Sequence, residues 1–293
     1  MRRHASWRPR PLQRVTDLEP SDVARQLTVG EYKVFARCRS TDLLKQTNPK
    51  MAMSGDVLRV KALSERSNGI VAWIAATVLA EAEVKRRAEL LRFFIKVAQT
   101  LRGLNNFNTL QSVLAGLDAV AIHRLRRSWD AVPSRTLATW TALKEGMSPA
   151  RNFAAYRDAF EAAATPRIPF MGRTLTDLRF AEDGNPNFLD AERTVINFSK
   201  RMLQASILSR VEQSRIAYAI DVNPTVQQWL STQCETAHRT WDSQTQYDVS
   251  CRLEPRESHP TPASLATSGV SRATTTAGSA SSPPGQPSVR ASS

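Results

Sequence analysis

Apolar residues recur at helical spacing along most of this chain, and no strand-like alternation of apolar and polar residues persists. The clearest region runs from Asn68 to Gly103. Its second half places Val84, Ala88, Leu91 and Ile95 three or four residues apart. Residues at this spacing lie on one face of an α-helix and can be buried together. The pattern therefore predicts an all-α fold.

The two ends of the chain differ in composition from this helical region. Residues 1–17 are rich in Arg and Pro without periodicity, and from about Arg252 the sequence consists mainly of Ser, Thr, Pro, Ala and Gly. Such segments have too little apolar surface to offset the entropy lost on folding. We predict a disordered basic arm at 1–17, one multi-helix domain at 18–235 and a mostly disordered tail at 236–293.

The formal net charge of +13 is compatible with an acidic protein partner, an anionic membrane surface or nucleic acid. Basic runs such as Lys85-Arg86-Arg87 lack the interleaved aromatic residues that stack on bases, so they favour solvated helix faces, and we expect no nucleic acid partner. The Arg-rich arm has no hydrophobic or lipidation signal. A solvated arm is therefore favoured, and weak contact with an anionic membrane surface stays the alternative.

The spacing of the cysteines and the length of the apolar runs indicate the cellular compartment. Cys38, Cys234 and Cys251 are too widely spaced for a zinc pattern, and an odd number argues against a disulfide framework. The longest apolar run, Ile70–Ala80, is shorter than a membrane-spanning helix, and no signal-peptide core follows Met1. We predict a cytoplasmic protein with no metal site and no cofactor, with recruitment to the inner face of the plasma membrane as a further possibility.

The segment Ile168–Asn187 has signals for both ends of a short helix. Pro169 disfavours helical backbone in the residue before it. Thr174, with Asp177 three residues later, has the form of an N-cap and its reciprocal partner. The helix is therefore predicted to begin near Leu175.

The end of this helix carries an unexpected pair of charges. Gly184 is suited to a left-handed helix end and Pro186 cannot continue a helix, so Glu182 and Asp183 are predicted to lie in the last turn. Two carboxylates there are opposed by the partial negative charge of the helix C-terminus. A broken local rule of this kind is typical of a functional site.

Four segments carry a resemblance to a known family. Residues 168–187 (IPFMGRTLTDLRFAEDGNPN) resemble the wedge helix of the catalytic domain of Ras-family guanine nucleotide exchange factors, the RasGEF domain. Residues 104–108 (LNNFN), 148–156 (SPARNFAAY) and 196–201 (INFSKR) match further family segments in the same order. The resemblance spans about 21–232 and implies one all-α catalytic domain with a projecting helical hairpin.

The resemblance implies a regulatory exchange factor, which makes no covalent bond and is not an enzyme in that sense. Its partner would be a Ras-family small GTPase, nucleotide-free or GDP-bound. The wedge helix, about Thr174–Asp183, would enter the nucleotide site and promote GDP release. Asp183 aligns with the carboxylate that intrudes on the magnesium and phosphate positions, and Arg179 and Thr176 are further catalytic candidates on the same helix.

The resemblance also assigns binding and supporting residues. Asn105, Phe170 and Asn185 are the candidates for contact with the GTPase, whereas Asn106 and Asn108 are expected to be internal. A second helix would support the wedge through an apolar stripe. The residues of this stripe are Ile196, Leu203, Ile207 and Val211.

Three departures from the family pattern fall on the expected GTPase surface. An aromatic residue is missing near Asn48, Ser64 replaces an apolar residue that lines a pocket, and Arg179 stands where some members have leucine. Residues 1–20 are also too few for the helical module that commonly precedes this domain. The departures at Asn48, Ser64 and Arg179 motivate an alternative: a GTPase-binding module of the same fold with weak or no exchange activity.

Overall fold

Helices form almost all of the regular structure in the part of the chain that the computed structural model describes, residues 12–47 and 57–255. The helices are α1 (Pro20–Phe35), α2 (Ser40–Thr47), α3 (Val57–Leu79), α4 (Val84–Gly103), α5 (Phe107–Leu117), α6 (Val120–His123), α7 (Arg126–Asp130), α8 (Ser134–Gly146), α9 (Ala150–Glu161), α10 (Met171–Asp183), α11 (Phe198–Gln213), α12 (Pro224–Thr240) and α13 (Ser243–Leu253). Within the described ranges there is no β-strand, only isolated bridges. The prediction of an all-α fold is confirmed.

The main hydrophobic core lies where α3, α4, α5 and α12 pack together. The predicted stripe on α4 is buried, because Ala88, Leu91 and Ile95 are each less than a tenth exposed. Trp73 of α3 packs edge-to-face against Phe94 of α4, with ring centroids 5.4 Å apart. Burial of this apolar surface is the main force that holds the helices together.

A second hydrophobic cluster lies at the base of the hairpin formed by α10 and α11. It joins α1 and α2 to the hairpin and includes Phe35, Leu43, Leu178 and Val211, all of which are buried. The base of the hairpin is therefore packed around its own hydrophobic cluster, which is separate from the main core.

The predicted boundary at residue 235 must be corrected. Helix α12 continues to Thr240, and α13 follows and packs against α3 and α6. After α13, Glu254 pairs with the fully buried Arg87 of α4, with 3.0 Å between Nη2 and Oε1. Composition did not predict α13 because this helix is polar. Its end is fixed by a buried ion pair and not by an apolar stripe.

The N-terminal boundary also differs from the prediction. Val15 begins a short 3-10 helix, Val15–Asp17, and its side chain is buried in the main core. Leu12 packs against the same core. The residues of the predicted arm before Leu12, the tail after Pro255 and the departure at Asn48 lie outside the described residues.

Candidate functional site

Helix α10, which contains the predicted wedge, begins four residues earlier than predicted. Phe170 is its N-cap, and the backbone N–H of Met171 donates to Asn108 Oδ1 at 3.0 Å. Thr174 lies inside the helix and donates its hydroxyl to the carbonyl of Phe170, so the predicted capping role of Thr174 is wrong. A side chain from α5 supplies the cap, and sequence spacing within the segment does not contain this information.

Asp177, predicted as the reciprocal capping partner, instead joins α10 to α9. Its carboxylate accepts hydrogen bonds from Arg157 of α9, at 3.0 and 3.2 Å, and from Arg173 on its own helix. A second ion pair joins Arg210 of α11 to Glu161 of α9, with 3.1 Å between Nε and Oε1. Helix α9 therefore connects to both arms of the hairpin.

The C-terminal end of α10 lies where the sequence predicts it, but its geometry differs. Gly184 has φ −80° and ψ −5°, so it is not left-handed. A Cβ at this position would lie 2.9 Å from the carbonyl oxygen of Phe180, so a close backbone approach favours glycine. The helix stops after Asp183, consistent with Pro186 two residues beyond the glycine.

The acidic pair at this end has compensating cations. Glu182 Oε2 lies 3.1 Å from the ammonium of Lys200, a fully buried lysine of α11. Asp183 Oδ2 lies 2.6 Å from Nε of Arg179, one turn earlier on an exposed face. The unfavourable interaction of the two carboxylates with the helix dipole is therefore offset locally, which the sequence analysis missed.

One face of α10 is exposed and carries the candidate catalytic residues. Thr176, Arg179 and Asp183 are spaced by three and four residues, so they share this face. Thr176 donates its hydroxyl to the carbonyl of Gly172 at 2.8 Å, as a side chain within a helix often does. Phe180, which the sequence analysis did not select, is 64% exposed beside them.

Arg179 has two hydrogen-bond partners within the chain. Its Nε donates to Asp183, and its Nη1 donates to the carbonyl of Thr47 at 3.0 Å. Thr47 is the last residue of α2, so Arg179 connects α10 to the end of α2. The guanidinium is thus engaged within the chain on both sides.

A cleft of about 220 Å³ lies beside the N-terminal half of α10, between α3, α5 and α10. Phe170 and Leu175 give it apolar walls, and Ser64 and Gln111 add polar groups. The departure at Ser64 therefore lies on this cleft. The cleft thus combines apolar walls with a few polar groups.

Phe170 both lines the cleft and anchors the base of the hairpin. Its ring packs edge-to-face on Phe153 and Tyr156, with centroids 5.7 and 6.1 Å apart. Its backbone N–H donates to the hydroxyl of Tyr156 at 2.9 Å. Burial raises the pKa of Tyr156, so the hydroxyl stays protonated and neutral.

Asn105 connects the α4–α5 turn to the segment that enters α10. It has a left-handed backbone, φ 54°, which asparagine tolerates better than most residues. Its Nδ2 donates to the carbonyl of Ala164 at 3.0 Å, and its own carbonyl accepts from Ile168 at 2.9 Å. The side chain stays half-buried at the surface.

Asn106 and Asn108 are internal, as predicted. Asn106 caps α5, because its Oδ1 accepts from the N–H of Thr109 at 3.1 Å. Asn108 donates to Glu31, a fully buried carboxylate, at 2.7 Å. The same Asn108 holds the first turn of α10.

The four residues of the predicted supporting stripe differ in burial. Ile207 is half-buried and Val211 buried, and both belong to the cluster at the hairpin base. Ile196 and Leu203 are 59% and 46% exposed. Ile196 lies outside α11, because the side chain of Asn197 caps the helix by accepting from the N–H of Lys200 at 3.1 Å.

Asn185, the last candidate for GTPase contact, lies in the loop after α10. Its Nδ2 donates to the carbonyl of Ala181 at 3.1 Å, and its carbonyl accepts from Lys200 at 2.8 Å. These contacts fix the chain where it turns away from α10.

None of the helices in the described part of the chain is long and apolar enough to cross a bilayer.

Together, the fold and this site define a helical domain in which one helix ends in an exposed carboxylate and has a small cleft beside its N-terminal half. A family model described as the RasGEF domain matches residues 22–202, more than half of the chain. The chain belongs to the RasGEF domain family.

Several relatives match most of the chain. Ras guanine nucleotide exchange factor J of Dictyostelium discoideum is 36% identical over 199 residues, which cover 68% of this chain and 24% of that protein. Cell division control protein 25 of Candida albicans is 31% identical over 83% of this chain and 18% of its own length. Rap guanine nucleotide exchange factor 5 of Mus musculus is 28% identical over 83% of this chain and 30% of its own. The chain thus spans less than a third of each of these relatives.

Proposed function

We propose that this chain is a guanine nucleotide exchange factor that promotes GDP release from a Ras-family small GTPase. The observation that carries the proposal is the exposed face of α10, which ends in Asp183, with the cleft beside the N-terminal half of the same helix. The names of the relatives support the same activity and partner class. The domain would act by binding and would form no covalent bond.

The two ends of α10 have different roles in this proposal. The cleft at its N-terminal half accepts an apolar side chain of the GTPase, with Phe170 as one wall. Asp183, 55% exposed at the other end, enters the nucleotide site and competes for the magnesium and phosphate positions. Asn105 and Asn185 lie on the flanks and provide polar contacts.

Weakened nucleotide binding follows from this competition by linkage. A protein that binds the nucleotide-free GTPase more tightly than the GDP-bound form lowers GDP affinity by the same factor. A coupling of about 3 kcal/mol corresponds to roughly a hundredfold weakening. The wedge needs no reaction of its own to achieve this.

A second candidate function is favoured by the pairing of Arg179 with Asp183. Arg179 engages the Asp183 carboxylate that exchange would require. Ser64 also adds a polar group to the cleft. Both features fit a module that binds a GTPase of this family and releases its nucleotide weakly or not at all.

Release of a fluorescent GDP analogue from Ras-, Rap- and Ral-type GTPases separates the two candidates. The exchange function predicts accelerated release from at least one of them, and a loss of about tenfold or more in Asp183→Ala. Measurable binding without acceleration from any GTPase in the panel would favour the binding module.

A further inference from the structure

We infer that Lys200 is a positioning residue that gives two adjacent carboxylates, Glu182 and Asp183, different roles. It locks Glu182 against α11 and leaves Asp183 directed outward at the tip of α10. The inference rests on the proposed exchange function, and it identifies Lys200 as the residue that orients the carboxylate of Asp183.

Lys200 is only 2% exposed, and its ammonium has a defined acceptor set. Nζ donates to the backbone carbonyls of Glu182 and Asn185, both at 2.8 Å, and lies 3.1 Å from Glu182 Oε2. A lysine ammonium has three N–H groups, and these three acceptors match that number. The first turn of α11 therefore holds the last turn of α10 and the loop that follows it.

Glu182 and Asp183 are neighbours in sequence, but their environments differ. Glu182 also accepts from Gln204 Nε2 at 2.9 Å, and its side chain is 16% exposed. Asp183 is 55% exposed, and its partner Arg179 is 47% exposed. An exposed pair of flexible side chains opens readily when a partner competes, whereas removal of one member of a buried pair leaves a charge uncompensated.

The loop beyond α10 is tied to the same turn of α11. Asn197 Nδ2 donates to the carbonyl of Pro186 at 3.0 Å, and the Asn197 N–H donates to the carbonyl of Asn187 at 3.0 Å. With Lys200, these contacts fix the direction of the chain on both sides of Gly184. The orientation of the Asp183 side chain thus depends on α11 as well as on α10.

Two matched substitutions test the difference between the acids. Asp183→Asn is expected to lower the maximal rate of GDP release at least tenfold, and Glu182→Gln less than threefold per folded molecule. Equal losses in the two variants would overturn the inference. Normal release by Asp183→Asn would instead contradict the proposed function, so the two failures are distinguishable.

Lys200→Met and Lys200→Arg test the positioning role. Lys200→Met is expected to lower the maximal release rate about tenfold, while the half-saturating GTPase concentration changes less than threefold. Lys200→Arg keeps the charge and should recover at least a third of the lost rate. The folded fraction of each variant is measured by circular dichroism and used to correct the rates. A corrected wild-type rate in Lys200→Met, or no recovery in Lys200→Arg, would overturn the inference.

Discussion

At the scale of single residues, Asp183 and Arg179 form a pair that is easily opened. Both side chains are about half exposed, and an exposed pair four residues apart on a helix contributes only about 0.3–0.5 kcal/mol. Asp183 is therefore restrained in the free chain without being made unavailable to a partner. A difference of this size corresponds to about a twofold change in the population of the open form.

We predict that Arg179→Leu raises the rate of GDP release about twofold and changes the free energy of unfolding by less than about 1 kcal/mol. The carboxylate then no longer has an intramolecular competitor. Stopped-flow release of labelled GDP measures the effect, with Arg126→Leu, an exposed residue of α7, as the control. A marked loss of exchange in Arg179→Leu would show that Arg179 itself contacts the GTPase.

Sequence predicted the end of α10 and the exposed acid, but not the cations that compensate the acids. The stop after Asp183 was predictable because Gly184 and Pro186 act locally. Lys200 was not selected, since a lysine in a polar helix turn is usually solvated, and its burial depends on the approach of α10. Contacts of this kind join residues that no local pattern relates.

At the scale of elements, the hairpin is supported by an apolar base and by ion pairs to α9. Ile207 and Val211 pack at the base, while Arg157 and Glu161 of α9 pair with residues of α10 and α11 respectively. Periodicity grouped Ile207 and Val211 on one apolar face of α11, and both lie in the cluster at the hairpin base. Ile196 and Leu203 share this spacing but stay about half exposed in the described chain, because burial depends on which elements pack against a face and not on periodicity alone.

We predict that Ile207→Asp lowers the free energy of unfolding by about 2–4 kcal/mol and abolishes exchange. A charge in the half-buried cluster cannot be hydrated well, so the hairpin loses its fixed angle. Leu203→Asp, one turn earlier on the same helix, is the matched control and should change stability by less than about 0.5 kcal/mol. Denaturant unfolding and nucleotide release are measured together, and normal exchange by Ile207→Asp at unchanged stability would contradict the supporting role.

At the scale of the whole described chain, the residues after α12 close the structure against α4 and α7. Glu254 accepts hydrogen bonds from the hydroxyl of Ser128, the N–H of Arg127 and the guanidinium of Arg87. Burial acts to raise the pKa of Glu254, but the hydrogen bonds from Ser128 and Arg87 outweigh it and hold this pKa below its ordinary value. The carboxylate therefore contributes stability when ionised.

We predict that Glu254→Gln lowers the free energy of unfolding at pH 7 by about 3 kcal/mol, because Arg87 stays buried without its counter-charge. The pKa of Glu254 is lower in the folded than in the unfolded state, so its contribution is present above the unfolded value and is lost as pH falls. The difference between wild type and Glu254→Gln should therefore shrink below about pH 4.5. Urea titrations at several pH values measure it, with the exposed Glu235→Gln as control, and a difference independent of pH would contradict the assignment.

Competition between the tip of α10 and the nucleotide is the central claim, and the affinity of this chain for a GTPase as a function of GDP concentration tests it most directly. The proposed function predicts at least about hundredfold tighter binding to the nucleotide-free GTPase than to the GDP-bound form. It also predicts that Asp183→Ala reduces this ratio. Equal affinity for the two forms would contradict the claim, since a ligand that binds two states equally shifts neither.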